Sequence, residues 1–489
     1  MPGPSAVRVL LINPPSPERL GAPLLGQQYV ASAALAAGAE VRVVDMAARH
    51  ASFSIDDVIA QADGFEPHIV GVALFTRWVW HAYALVDALA GRYPLCIAGG
   101  AHVTARPEEP LAHGFDVSVV GEAEHAMARI VDAVARQAPL DDIPGLVLKT
   151  DDGRFVHTPA ATVVDDLDSL PSPLGAQSLY DASWYDVGGA RPVPPGGLLT
   201  SRGCPAKCTF CANYVTGRRF RFHSAERVVH ELNTTHERFG TRFFPFWDDA
   251  LTANRKRLRL LCDAIQRDVD FQVSWSAITR ADLVTEELLQ RMKDAGLIMV
   301  NFGVESGDDD VLVQIGKNVR TEKVVRALEM AKATGLRTAA NFMLGFPEDT
   351  LASTRRTIDF IERIAPLTDT FSTLGVLIPF PNTPLYELHH ERYGFTNWWL
   401  DERYAQMVEM PSLDDKEAWH RWYIDDATLE LDFFHYRDEM KDLMREGLRK
   451  KAEHNLRMMG WSASTATPPP STTAAPTAGE PKEWHEAPS

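Results

Sequence analysis

What most constrains this chain is a hydrophobic period that switches again and again between strand and helix spacing. From residue 7 to about 130, runs rich in β-branched residues alternate with helical stretches such as "QQYVASAALAAG" (27–38) and "IDDVIAQAD" (55–63). The runs are "VRVLLIN" (7–13), "EVRVVD" (40–45), "HIVGVAL" (68–74), "LCIAGG" (95–100) and "VSVVG" (117–121). Strands that are apolar without interruption are buried on both faces. The block therefore predicts an α/β unit, a doubly wound open parallel sheet with helices on both sides, whose ligand sits at the carboxyl ends of the strands.

A second alternating block begins at 197, with strands near 197–200, 242–247, 271–276, 298–303, 337–343 and 370–377. Amphipathic helices such as "SAERVVHELNTTHERFG" and "TEELLQRMKDAG" separate them, opened by Ser or Thr and closed by Gly. Six strand–helix units describe a partial (β/α)6 barrel, with reactive groups gathered at the C-terminal ends of its strands. Between the blocks, residues 140–196 lose the rhythm and gain prolines ("LPSPLG", "ARPVPPGG"), which reads as a linker. Residues 386–461 read as a small helical C-terminal subdomain whose Trp398, Trp399, Trp419 and Trp422 suit a core better than a cover over substrate. The tail 462–489, opening "SASTATPPPSTTAAPTAGEP", has the composition of a disordered segment. The expected units are thus 1–139, 197–385 and 386–461.

At 489 residues the chain exceeds what one core holds. With 49 Lys and Arg against 66 Asp and Glu, its net charge of -17 opposes binding to long nucleic acids. The one basic cluster, "GRRFRFH" (217–223), reads as a solvated face or a local anion contact. No apolar run reaches the ~18 residues of a membrane span, and the start lacks the basic flank and cleavage site of a secretory signal. With an odd count of five cysteines, a cytoplasmic, reducing setting is expected.

Three of those cysteines crowd into "TSRGCPAKCTFCANY" (200–214), on the loop leaving the first barrel strand. Thiolates at C-x3-C-x2-C spacing can converge on one metal centre. A structural zinc takes four ligands, and the remaining two cysteines, Cys96 and Cys262, fall in a predicted strand of the first block and a predicted helix. A 4Fe-4S cluster held by three thiolates leaves one iron open to a substrate or cofactor. Spacing alone favours the cluster, with zinc or a chance grouping as alternatives.

In this pattern the chain resembles the radical S-adenosylmethionine (SAM) enzymes, whose signature C-x3-C-x-aromatic-C is met with Phe210 in the aromatic place. The resemblance implies that Cys204, Cys208 and Cys211 hold the cluster, while the amino and carboxylate groups of SAM chelate its fourth iron. It spans 197 to about 385 and assigns further contacts in order along the barrel. Asp248 and Asp249 in "FFPFWDDALT" fall to the SAM amino group, and Arg280 in "SWSAITRADL" to the methionine carboxylate, a planar task that suits a guanidinium. Glu305 and Ser306 in "NFGVESGD" fall to the ribose. Gly345 and Glu348 in "NFMLGFPEDT" fall to the adenine, although the motif's first glycine is here Asn341. Taken singly, Asp249 also reads as a helix cap, Arg280 as a surface residue and Gly345 as a turn glycine.

The first block resembles the Rossmann-like cobalamin-binding domain that precedes the barrel in one subgroup of that family. The matching segments are "LLINPP" (10–15, with Asn13), "VGVALFT" (70–76, with Thr76), "AGGAHVTARPEE" (98–109, with Gly99, Gly100 and His102) and "VVGEAE" (119–124, with Gly121 and Glu122). Glycines at a strand's end let the backbone approach a flat, bulky ligand. The loop after the first strand, "NPPSPERLGAP", offers no histidine to cobalt, and His68 in "EPHIVG" enters a strand rather than leaving one. A lower corrin face without a histidine ligand is implied. Thr76 and His102 are its expected neighbours, with simple packing as the alternative.

Together the resemblances imply a cobalamin-dependent radical SAM methyltransferase with three cofactors: a 4Fe-4S cluster, SAM and cobalamin. In such enzymes the reduced cluster cleaves SAM to methionine and a 5′-deoxyadenosyl radical, which takes hydrogen from an unactivated carbon of a small-molecule substrate. The substrate radical then takes the methyl group of methylcobalamin, here in the biosynthesis of a small natural product. A rearrangement or cyclisation without net methylation is the alternative. Methylthio transfer is disfavoured, because two scattered cysteines cannot readily hold a second cluster. An electron donor such as flavodoxin or ferredoxin is the expected partner, and no residue is assigned as a general acid or base.

Overall fold

The computed structural model describes residues 6–16, 20–150, 152–161, 163–185, 195–373, 375–401 and 432–458. Trp419, Trp422 and the tail 462–489 lie outside these residues. The first sheet comprises β1 (Arg8–Asn13), β2 (Glu40–Asp45), β3 (Ile69–Ala73), β4 (Cys96–Gly99), β5 (Val117–Val119), β6 (Leu146–Lys149) and β7 (Phe155–His157), in the order β2-β1-β3-β4-β5-β6-β7. The first five run parallel, with Leu10 opposite Arg42 on one side and Val70 on the other. The helix Ile55–Phe65 starts at a capping box, in which Ser54 Oγ accepts from Asp57 N–H and Asp57 accepts from Ser54 N–H.

β6 and β7 run antiparallel and fall in the stretch expected to be a linker, so the sheet is mixed rather than wholly parallel. Prolines are scattered through 140–196, but "LVLK" and "FVH" flank a turn where Gly153 takes φ +79°. That is hairpin chemistry, since a left-handed glycine matches the twist of two antiparallel strands. Farther along, the segment Pro173–Leu179 covers the helix Leu25–Ala36, and Tyr180 donates to Gln27 Oε1 at 3.2 Å.

The second block supplies β8 (Ser201–Arg202), β9 (Arg221–Phe222), β10 (Phe243–Phe246), β11 (Ser274–Thr279), β12 (Leu297–Glu305), β13 (Arg337–Phe342) and β14 (Thr370–Thr373). β10 to β14 form a parallel sheet in sequence order, and a single bridge from Leu198 to Phe246 extends it. The first barrel strand is thereby reduced to one bridge, because Ser201–Arg202 pair antiparallel with Arg221–Phe222 instead. Phe246 stacks on Trp275 with centroids 4.7 Å apart, and Phe302, Phe342 and Phe371 are fully buried in the same core.

The C-terminal helices do not stand apart as a subdomain among the described residues. The helix Asp438–Met458 packs along Leu351–Ile364, and Asn455 covers the outer edge of β14. Its side-chain amide donates to Phe371 O and accepts from Phe371 N–H, both at 2.8 Å, pairing backbone groups that an edge strand otherwise leaves open. Trp398 and Trp399 lie buried in one core with residues of the first block, and Trp399 Nε1 donates to Glu109 Oε1 at 2.9 Å. No helix of the described residues is long and apolar enough to cross a membrane.

Candidate active site

The chain leaves β8 through Gly203, whose φ of +88° and close approach to Arg219 O leave no room for a Cβ. Asp249 ties the next turn down, its Oδ2 accepting from Gly203 N–H at 3.0 Å and Thr216 Oγ1 at 2.7 Å. Thr209 N–H donates to Ile315 O at 2.9 Å, and Phe210 meets Phe346 edge-on, with centroids 5.5 Å apart. The cysteine loop is thus pinned by barrel segments following β10, β12 and β13. Cys204, Cys208 and Cys211 remain free thiols on it.

Their surroundings are strongly charged. Burial pushes the Cys208 thiol up, against the pull of Lys317 and Arg280. Cys211 has surface open to solvent, yet protein is dense around its sulfur; burial, then Cys208, Cys204, Asp249 and Glu305, push it up to about 11. Arg280 is oriented by Asp282, at 3.0 and 3.1 Å, and donates to Lys317 O at 2.8 Å. Lys317, itself buried, donates from Nζ to Glu305 Oε1 at 2.9 Å. Glu305 holds φ +72° where β12 slips register against β13. A non-glycine residue there costs on the order of 1–3 kcal/mol, strain of the kind that gathers at functional sites. Among the described residues, no three His, Cys, Asp or Glu side chains close on a single-ion site.

Several expected contacts face elsewhere. Asp248 is buried and accepts from Thr200 N–H at 2.7 Å and from Thr200 Oγ1 and Ser201 Oγ at 2.5 Å each. Burial raises its pKa despite the nearby Arg257, and its carboxylate supports the base of the cysteine loop rather than a ligand's amino group. Ser306 bonds Thr357 Oγ1 at 3.1 Å and accepts from Asp308 N–H, which turns it from a ribose toward the helix Leu351–Ile364. Gly345, at φ +81°, is covered by Tyr436, whose hydroxyl donates to the Gly345 carbonyl. Glu348 Oε2 is buried without a hydrogen-bond partner.

Family models match both halves of this architecture, the radical SAM superfamily over residues 198–361 and the B12 binding domain over 22–131. An uncharacterized methyltransferase of Pyrococcus horikoshii is 31% identical over 392 residues, which cover 78% of this chain and 83% of that protein. The chain is a radical SAM enzyme with a B12-binding domain. This radical SAM chain is also similar to the anaerobic magnesium-protoporphyrin IX monomethyl ester cyclase of Rubrivivax gelatinosus, 26% identical over 90% of this chain and 81% of that protein. Its fold matches the radical SAM methyltransferase TsrM from Kitasatospora setae, solved with cobalamin and a [4Fe-4S] cluster. That match has a TM-score of 0.65 and 19% identity over 80% of this chain and 75% of the other. The superfamily uses a 4Fe-4S cluster and SAM, and the second domain type binds cobalamin. Three free thiols beside the cations Arg280 and Lys317 fit an anionic cluster.

At the strand ends of the B12-binding domain, most expected polar contacts are engaged with protein. Asn13 Nδ2 donates to Asp45 Oδ1 at 2.7 Å. His102, fully buried, lies between Thr76 Oγ1 at 3.1 Å and Glu109 Oε1 at 3.0 Å. Glu122 accepts from Arg202 and Arg221 at 2.7 to 3.0 Å. Burial alone would raise its pKa, but the Arg221 hydrogen bond and the Arg202 charge hold it below the usual range. What remains for a ligand is shape. A Cβ placed on Gly99 or Gly121 would have nothing within 4 Å, and Asn13 Oδ1 is buried without a partner. Open strand ends and an orphan acceptor fit a broad, flat cofactor such as a corrin.

Sequence reasoning missed the residues that join the two cofactor regions. Arg202, two positions before Cys204, donates to Glu122 at 3.0 Å and to Glu124 at 2.7 Å, and Arg221 also reaches Val164 O at 2.7 Å. These four charged side chains are at most 7% exposed. Burial pushes the phenol of Tyr214, which closes the cysteine loop, up to about 12. Only "GRRFRFH" carried a signal: Arg221 is its local anion contact, and the anion is Glu122.

Proposed function

We propose that this enzyme is a C-methyltransferase that moves a methyl group from methylcobalamin to an unactivated carbon of a small molecule in natural-product biosynthesis. The junction carries this reading. Buried ion pairs fasten β8 and β9, which flank the cysteine loop, to the cobalamin domain, so one substrate can meet both cofactors without the domains parting. When bound, the cluster and SAM supply a hydrogen-abstracting radical, and cobalamin supplies the methyl group.

The chain's own part is to hold, orient and exclude. Cys204, Cys208 and Cys211 hold the cluster. Arg280 takes the SAM carboxylate, pre-oriented by Asp282, and Lys317 offsets the negative charge gathered around Cys208. Asp249 fixes the loop backbone, while Glu305 keeps Lys317 in place. Gly99 and Gly121 leave room for the corrin. Reducing electrons come from a flavodoxin or ferredoxin in the cytoplasm, a setting in keeping with five free cysteines.

Incubating the reconstituted holoenzyme with candidate substrates and deuterium-methyl SAM tests the reading by mass spectrometry. A labelled methyl gain together with 5′-deoxyadenosine supports it. The similarity to a cyclase over 90% of the chain supports a second reading, ring closure without methyl transfer. Deoxyadenosine without a labelled product would move the conclusion there.

A further inference from the structure

Lys317 and Glu305 form an ion pair at the barrel mouth, with Nζ 2.9 Å from Oε1 and side chains only 7% and 11% exposed. Taking two charges out of water is costly, so such a pair is a poor way to gain stability. The backbone adds strain, because Glu305 holds a left-handed φ of +72° where β12 slips against β13. Gly303 makes room for the pair: a Cβ there would lie 2.7 Å from Glu305 Oε1 and 2.8 Å from Lys317 Nζ. Burial, strain and a bare strand position thus combine to hold one ammonium in place.

The segment that carries Lys317 leans on the cysteine loop. Thr209 N–H donates to Ile315 O at 2.9 Å, and a Cβ on Gly316 would meet Lys207 O at 2.6 Å and Cys208 Cα at 3.6 Å. Lys317 is therefore a buried cation beside a cluster ligand, in keeping with its pull on the Cys208 thiol. The other charged groups of the mouth are engaged elsewhere. Arg280 is bonded to Asp282 at 3.0 and 3.1 Å, and Asp249 accepts from Gly203 N–H and Thr216 Oγ1. Glu305 is the partner that SAM itself would meet, in the position where the family resemblance puts the ribose contact.

We propose that the Lys317–Glu305 pair couples SAM binding to reduction of the cluster. Without SAM, Glu305 compensates the Lys317 charge. A ribose diol brings two O–H donors that compete with Lys317 for the carboxylate. Once Glu305 is shared, more of the ammonium's field reaches the cluster, and the added electron, which lowers the cluster's charge by one, is favoured in this desolvated setting. The electron comes from a low-potential one-electron donor of the flavodoxin or ferredoxin type, and no bond or proton changes hands. A cluster that is reduced more readily beside bound SAM spends fewer electrons without it. The proposal goes beyond the methyl-transfer reading and rests only on the cluster and SAM.

Reductive titration of the holoenzyme with dithionite, followed by the cluster's EPR signal with and without saturating SAM, tests it. In the wild-type protein SAM should favour reduction at least about tenfold, which is about 59 mV for one electron. Glu305→Gln should match the SAM-bound wild type even without SAM, and SAM should add little. Lys317→Met should be harder to reduce in both conditions and lose most of the SAM effect. Lys317→Arg keeps the charge and should behave as the wild type. The proposal is overturned if SAM leaves the wild-type potential unchanged, if SAM-free Glu305→Gln is reduced no more readily than the SAM-free wild type, or if SAM shifts Lys317→Met as much as the wild type. A Lys317→Arg protein that behaves as Lys317→Met also overturns it, because shape rather than charge would then be at work. None of these measurements needs methyl transfer, so the two proposals fail separately.

Discussion

The two strand-end regions of this enzyme prepare for their cofactors in opposite ways. At the barrel mouth, side chains are left over: three free thiols, with Arg280 and the Lys317–Glu305 pair beside them. At the end of the cobalamin domain most polar side-chain atoms are already taken, Asn13 Oδ1 excepted. Asn13 is bonded to Asp45, His102 to Thr76 and Glu109, and Glu122 to two arginines, while open space lies over Gly99 and Gly121. A cluster is held by donor chemistry, which demands particular residues. A corrin is held largely by shape, which demands their absence.

Substitutions should separate the two modes. The largest effect is expected for Cys208→Ala, which removes a donor. Iron content and the visible absorbance of the reconstituted cluster should collapse, and SAM cleavage should fall by at least about a hundredfold, since three ligands are the minimum the site holds. Arg221→Ala breaks the clasp between the regions and leaves Glu122 buried beside fewer positive charges. Thermal and denaturant unfolding should register a loss of about 3–5 kcal/mol.

The same pair sets a pH dependence. Glu122 is held below its ordinary value, so its contribution is complete above about pH 4.3 and is lost as pH falls through the folded-state value. Acid unfolding curves of Arg221→Ala should show a smaller component, because Arg202 still holds Glu122. Adjacent glycines give a smaller contrast. Gly100, at φ +108° with a would-be Cβ 2.7 Å from Leu74 O, should lose about 1–3 kcal/mol on change to Ala. Gly99→Val should keep its unfolding midpoint but weaken cobalamin binding, followed by corrin absorbance, because its side chain fills only the cofactor's space.

The same difference explains what was legible in the sequence. Cys204, Cys208 and Cys211 lie close along the chain, so they stand out in the sequence as candidate cluster ligands, as does the order of barrel motifs from Asp249 to Gly345. A polar residue at a strand end looks alike whether it faces a ligand or another domain. Nothing local marks Glu122 as an ion-pair partner, because Arg221 lies 99 positions away. Asp248 and Asp249 share a motif, but Asp248 accepts from Thr200 and Ser201 at the base of the cysteine loop, whereas Asp249 accepts from Gly203 and Thr216 farther along it. The β6–β7 hairpin was hidden by surrounding prolines, although its glycine turn was visible. Lys317 carried no signal of its own; its position depends on the left-handed Glu305 and on the turn at Gly316, φ +71°, pressed against Lys207 O.

The fate of a labelled methyl group tests most directly whether the clasped regions work as one methyl-transfer site. After turnover of the reduced holoenzyme with deuterium-methyl SAM, the corrinoid and small-molecule products are recovered and weighed. Deuterium on both is the expected result. Abundant 5′-deoxyadenosine with neither corrinoid nor product labelled would contradict it.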